Sequence, residues 1–152
     1  MDAIDRKICQ LLQQNSRAHL NAIAEAVGVS IATISERLRK LEEKGIIQQY
    51  TTYVDPKQWG CDITAFIFVT VEGSQHYPHF IERCQQHPEI LECHAITGEA
   101  SHLLKIRTTN TATLERLLAT IQKWKGVKRT FTSLVLSTHK EQLLLPITAN
   151  DS

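Results

Sequence analysis

The sequence predicts an α+β chain: an N-terminal winged helix-turn-helix followed by a C-terminal ferredoxin-like βαββαβ domain. Three observations predict it. Residues 20–45, LNAIAEAVGVSIATISERLRKLEEKG, carry apolar residues at helical spacing on both sides of Val27-Gly28-Val29-Ser30. From Ile63 onward, β-branched and aromatic runs alternate with two helical stripes in the order strand, helix, strand, strand, helix, strand. Between the two patterns, Asp55-Pro56 and Gly60 break both periods. The expected organisation is therefore residues 1–54 as the helix-turn-helix domain, 55–62 as a linker, 63–145 as the ferredoxin-like domain and 146–152 as a disordered tail.

The elements follow in order. A first helix is expected from Asp2 to Asn15, with Ile4, Ile8, Leu11 and Leu12 inward and Asp2 and Asp5 near the N-terminus, where the helix dipole favours acids. Leu20, Ile23, Ala24 and Val27 form the inward face of a second helix. Gly28 stands where a helix end takes positive φ, and Val29 plugs the turn. Ser30 caps a third helix, Ser30 to Lys44, by accepting a backbone N–H bond. Ile34, Leu38 and Leu41 are its inward stripe and Gly45 stops it. Ile46 to Val54 reads as a wing or linker strand. Ile63 to Val71 is the first strand of the second domain, and Pro78 opens a helix that ends before Pro88. Strands are expected at Ile90–Thr97, Leu103–Thr108 and Lys128–Thr138, with Gly98 turning between the first two. Leu114, Leu117, Leu118 and Ile121 mark a helix from Thr111 to Trp124, which Lys125-Gly126-Val127 closes. Glu141 to Leu145 is expected as an edge strand. This βαββαβ order is a split βαβ unit. Its helices cover one face of the sheet, and the bare face calls for burial against another chain. Either Phe66 and Phe68 or their neighbours Ile67 and Val69 point there.

Two helices joined by so tight a turn leave the second free to enter a DNA major groove. At about 1.5 Å per residue, a helix from Ser30 to Lys44 is roughly 21 Å long. With Ile34, Leu38 and Leu41 inward, its outward face holds Ala32, Thr33, Glu36, Arg39 and Lys40, flanked by Ser35 and Arg37. Small or hydroxylated residues near the start, with Ser30, suit base edges. The cations that follow suit phosphates.

Charge limits this reading. The whole chain of 152 residues has a formal net charge of only +1. Residues 1–57 hold eight Lys/Arg against seven Asp/Glu. Affinity for double-stranded DNA grows with the phosphates neutralised, so a protein that pools contacts from two or more copies fits better than a lone monomer. The opening Met1-Asp2-Ala3-Ile4-Asp5 is acidic and unlike a signal peptide. No apolar run approaches the ~20 residues of a membrane span. Cys9, Cys61, Cys84 and Cys93 show no CxxC pair and read as reduced thiols of a cytoplasmic protein.

The chain resembles the Lrp/AsnC family of leucine-responsive and asparagine-synthetase-C-type regulators over nearly its whole length. The resemblance is carried by Met1-Asp2 with Asp5 and Ile8, by Asn15-Ser16-Arg17, by Val27-Gly28-Val29-Ser30 with Arg37, Leu41-Glu42 and Gly45-Ile46-Ile47, and by Thr97-Gly98 and Gly126-Val127. It implies a sequence-specific transcription regulator, dimeric through the sheets of its C-terminal domain and assembling further as a tetramer of dimers (an octamer), modulated by an amino acid or other small effector. The implied effector and dimer–dimer site is the loop Gly98, Glu99, Ala100, Ser101 and His102. Here the chain departs from the pattern. Ser101 stands where the family commonly has an Asp able to pair with a ligand ammonium, and His19 stands where it often has a hydroxyl cap.

Other chemistry is weaker. His76, His79, Cys84 and His87 have zinc-like intervals, but Cys84 falls on an apolar stripe with Phe80 and the histidines read as solvated, so no metal and no other cofactor is expected. Ser101-His102 resembles a nucleophile and base only by adjacency, and no HExxH or phosphate-binding glycine loop is present. No catalytic residue is assigned. Two other classes remain. Siroheme decarboxylases resemble the same two-domain fold, and a ligand-binding or assembly module without DNA binding would share it. A red colour or Soret band would mark the first, and failure to bind genomic DNA at low salt the second.

Overall fold

A computed structural model of the chain describes residues 1–146. Contacts divide it into two compact units, Met1–Tyr53 with the residues from Lys140 on, and Val54–His139.

The first unit is built on α1 (Ala3–Gln14), α2 (Leu20–Val27) and α3 (Ile31–Glu43). Each helix begins or ends as its flanking residues dictate. Asp2 caps α1 in a capping box, its side chain accepting from Asp5 N–H while the Asp5 carboxylate accepts from Asp2 N–H. Gly28 ends α2 at φ +82°, with its N–H on the Ala24 carbonyl. Ser30 Oγ accepts from Thr33 N–H at 3.1 Å and opens α3. Ile8, Ile23, Ala24, Ile34 and Leu41 form the core, with Leu12 at its margin and Ile4, Leu11, Val27, Val29, Leu38 and Ile47 packed around them.

The expected strand from Ile46 to Val54 is not formed in the single chain. A strand needs a ladder partner, and residues 46–54 have none among the described residues. The backbone instead folds Ile46 and Ile47 N–H onto the Leu41 carbonyl.

The second unit carries β1 (Ile63–Val71), α4 (Tyr77–Gln86, after a short 3₁₀ turn at Ser74–His76), β2 (Ile90–Ala95), β3 (His102–Thr108), α5 (Thr111–Gln122) and β4 (Val127–Leu134). The sheet order is β2-β3-β1-β4, antiparallel throughout. This is the expected βαββαβ arrangement, with shorter β2 and β4 than the sequence suggested. β4 stops because β1, its partner, runs out: Val135 N–H on the Thr64 carbonyl is the last cross-strand bond. The edge strand expected at Glu141–Leu145 is absent. That segment belongs to the first unit, where Tyr53 O–H donates to Glu141 and Leu145 N–H donates to Gln13 Oε1 at 2.9 Å.

Burial alternates along β1 and assigns the faces. Ala65, Ile67, Val69 and Val71 pack with Leu104 and Ile106 of β3 beneath Phe80 and Cys84 of α4 and Leu117 and Ile121 of α5. Phe66 and Phe68 therefore occupy the other face, settling an alternative that alternation alone left open. There Phe68 stands opposite Phe131 of β4, ring centroids 6.2 Å apart. Phe131 is 66% exposed.

Candidate nucleic-acid interface and effector loop

The third helix presents the expected face. Ile34 is fully buried and Leu41 nearly so, while Ala32, Ser35, Glu36, Arg39 and Lys40 are exposed. Thr33 is half-buried, its hydroxyl 2.8 Å from that of Ser30. Both hydroxyls thus organise the helix start, and Ser30 also caps it.

The cations differ in what they hold. Arg39 pairs with Glu36 at 2.8 Å and with Glu43 at 2.5 Å, one turn away on either side. Hydrogen bonds to these two carboxylates, Glu36 first, raise the Arg39 pKa above its ordinary value. Lys40 shares Glu36 at 3.3 Å. Both lie on an exposed surface, where such pairs are weak and salt-screened, so a phosphate can displace the carboxylates. Arg37 is different. Its guanidinium reaches Asp5 at 3.2 Å and also meets Asp2, tying α3 to the first turn of α1. A hydrogen bond to Asp2 first, then to Asp5, raises its pKa. Counted among the expected DNA-facing residues, Arg37 is committed inside the domain.

In the second unit, Gly98 takes φ +112°, a conformation that L side chains rarely adopt. No atom lies within 4 Å of where its Cβ would stand, so in the single chain the backbone angle, not crowding, calls for glycine. Glu99 is exposed and Ala100 half-buried. Ser101 turns inward. Its hydroxyl accepts from Val71 N–H at 2.9 Å and sits 3.0 Å from the Val69 carbonyl and 2.8 Å from His102 Nδ1. His102 is the first residue of β3 and fully buried, stacked edge-on to Tyr77 with ring centroids 4.7 Å apart and lying beside Phe80. Its Nε2 has no hydrogen-bond partner. Burial pushes its pKa down. The five loop residues thus divide into three that line the surface and two that anchor the loop to β1.

The other candidate cluster does not converge. Cys84 is buried in the core, His79 is exposed, and His87 Nδ1 accepts from Glu89 N–H. Among the described residues, no group of three or more His, Cys, Asp or Glu is placed to hold a metal ion. Nor is any helix among them long and apolar enough to cross a membrane.

Comparison with known proteins decides the family. Residues 1–48 match the model of a winged helix-turn-helix DNA-binding domain, and residues 64–145 match the Lrp/AsnC ligand binding domain. The chain belongs to the Lrp/AsnC family. It is 40% identical over 147 residues to the HTH-type transcriptional regulator FL11 of Pyrococcus horikoshii, covering 97% of each chain. It is 31% identical over 150 residues to the leucine-responsive regulatory protein of Klebsiella pneumoniae, covering 97% of this chain and 92% of that one. The crystal structure of a transcriptional regulator of Neisseria meningitidis in complex with L-Met superposes with a TM-score of 0.87 at 32% identity, covering 96% of each chain. The protein is accordingly a DNA-binding transcriptional regulator of the Lrp/AsnC type, with a helix-turn-helix and an effector-binding domain.

Within this Lrp/AsnC chain, the residues that sequence reasoning missed are the carboxylate partners. Glu43 completes the Arg39 pair, and Asp2 and Asp5 hold Arg37. The spacing of Glu36, Arg39, Lys40 and Glu43 at three and four residues was a readable signal for the first. Nothing local signals the second, because Arg37 and Asp5 are 32 residues apart.

Proposed function

We propose that the protein is a sequence-specific regulator, not an enzyme, which reads operator DNA in the cytoplasm as a dimer. In this reading α3 lies in the major groove. Ala32, Thr33, Ser35 and Glu36 face base edges, with Ser30 at the helix start, and Arg39 and Lys40 exchange their carboxylate partners for phosphates. The open sheet face around Phe66, Phe68 and Phe131 takes a second copy, which doubles the phosphate contacts available to a chain of net charge +1. The loop from Gly98 to His102 lines a contact between dimers and a pocket for a small carboxylate, whose oxygens backbone N–H groups of the turn can hold. The L-Met complex of the Neisseria regulator supports an amino-acid-like effector. Ser101, turned inward to Val71 and His102, offers a ligand ammonium no charge, so the carboxylate is the group the loop holds.

The observation that carries this reading is the exposed face of α3, polar at its start and cationic beyond, on a helix whose other face packs Ile34 and Leu41 into the core. Selection of genomic fragments on the purified full-length protein, followed by sequencing, tests it. The expected result is enriched fragments with paired half-sites about one helical turn apart, or a multiple of that. No enrichment at low salt would overturn it.

A further inference from the structure

Two of the four cysteines meet across the second unit. Cys84 lies on the inward stripe of α4, one turn after Phe80, and is 1% exposed. Cys93 stands on β2 opposite Leu104, which places its side chain on the helix-covered face of the sheet. It packs against the core that contains Cys84 while remaining partly exposed. α4 packs on β2, so the two cysteines face the same core from the helix side and from the sheet side. β2 is an edge strand, bonded to β3 alone, and it leads through Ile96 and Thr97 into the Gly98 loop.

We propose that Cys84 and Cys93 are a redox-active dithiol, which a peroxide converts into an intrachain disulfide pinning α4 to the edge strand β2. The environment divides the roles. The neighbouring Cys84 thiol first, and then the charge of His94, bring the Cys93 pKa down to about 7. The same pairing and burial drive Cys84 up. Cys93, partly exposed, is the thiol a peroxide reaches, and Cys84, 1% exposed, is the resolving thiol behind it. The Cys93 thiolate attacks one peroxide oxygen. The O–O bond breaks, hydroxide leaves and takes up a proton as water, and Cys93 becomes a sulfenic acid. The Cys84 sulfur then attacks the Cys93 sulfur, and the sulfenic hydroxyl departs with the Cys84 proton as a second water. Two thiols and one hydrogen peroxide give one disulfide and two waters, with two electrons passing from sulfur to oxygen. Cys9 supplies an internal reference, because burial and then the charge of Asp5 push its thiol up.

The test uses the full chain treated with hydrogen peroxide in small molar excess and digested without reduction. Mass spectrometry is expected to find one cross-linked pair, Cys84 with Cys93, lighter by two hydrogens and released by dithiothreitol. In the Cys84→Ala protein the resolving thiol is gone, so Cys93 should accumulate as a sulfenic acid that dimedone traps. In wild type, Cys93 should alkylate with iodoacetamide at pH 7 at least ~10-fold faster than Cys9. Oxidation of Cys9 or Cys61 without the Cys84–Cys93 peptide would overturn the proposal. So would an iodoacetamide rate at Cys93 no faster than at Cys9. The wild-type measurements stand even where the variant does not fold.

Discussion

The Arg37 guanidinium lies 3.2 Å from the Asp5 carboxylate, so a cation of the third helix holds the start of the first. Asp2 meets the same guanidinium and caps α1 as well. One residue thereby joins the first and third helices of an arrangement whose core, among the described residues, holds six buried side chains. Arg37→Ala is expected to lower the thermal midpoint of the protein while leaving the salt dependence of DNA binding unchanged. Calorimetry and binding titrations at several salt concentrations read the two effects separately. A salt slope reduced by about one unit would return Arg37 to the phosphates.

Acid should release the same clasp. The Asp5 N–H bond, then the Arg37 guanidinium, hold the Asp2 pKa below its ordinary value of 3.8. A group with a depressed folded pKa adds stability above its unfolded value, and this is lost as pH falls through the folded one. The contribution of Asp2 is thus complete above pH 3.8 and fades below it. Asp2→Asn should lower the midpoint at pH 6 and change it least at the most acid pH. An equal loss at every pH would contradict this.

Glu36 restrains two cations at once. Glu36→Gln should release Lys40 and leave Arg39 held by Glu43 alone, raising affinity on the order of tenfold at low salt, steepening the salt slope and shifting the preferred sequence. Lys40→Ala should do the reverse, flattening the slope by about one unit without changing the preferred site. Thr33→Ala should alter preference instead. Titrations against an operator and an unrelated duplex decide. An unchanged slope in Lys40→Ala would remove it from the interface.

The Phe68 and Phe131 rings occupy the open face of the sheet. Phe131→Glu should weaken dimerisation at least ~30-fold, as loss of a buried aromatic anchor does. Replacing an exposed side chain should leave the monomer folded. Light scattering over a concentration series measures it. A wild-type protein that is monomeric at micromolar concentration would contradict the dimer.

His102 should make stability depend on pH near neutrality. Burial holds its pKa below 6.5, so the unfolded chain binds the proton more tightly. Stability is full above pH 6.5 and falls as pH drops toward the folded value. His102→Phe, set between Tyr77 and Phe80, should flatten the thermal midpoint below pH 6.5. A slope equal to that of wild type would assign the dependence elsewhere.

The two ends of the loop should behave differently. Ser101→Ala leaves Val71 N–H without an acceptor, and should cost about 1–3 kcal/mol of stability. Gly98→Trp faces open space in the single chain at a φ unfavourable to side chains, and should break assembly beyond the dimer or the ligand response. Sedimentation and thermal-shift screening compare them. An unchanged oligomer and ligand profile in Gly98→Trp would leave the loop as a turn only.

The sequence by itself determined the elements and their kind. Gly28 and Ser30 marked the turn between α2 and α3 because positive φ and an N-terminal acceptor are local demands, met within a few residues. Ile34 and Leu41 marked the inward side of α3, since helical period alone assigns faces once one residue is known to be buried. The βαββαβ order was legible for the same reason. Tertiary structure decided what period cannot. Alternation left Phe66 with Phe68 and Ile67 with Val69 as equals, and only the placement of α4 and α5 buried Ile67 and Val69. Residues 46–54 and 141–145 have strand-like composition, but a strand is made by its partner. The sequence placed Arg37 at the edge of the DNA-facing surface and Ser101 at the effector loop. Arg37 found Asp5, and Ser101 found Val71 and His102, because charged and hydroxyl groups bond to whatever folding brings within about 3 Å.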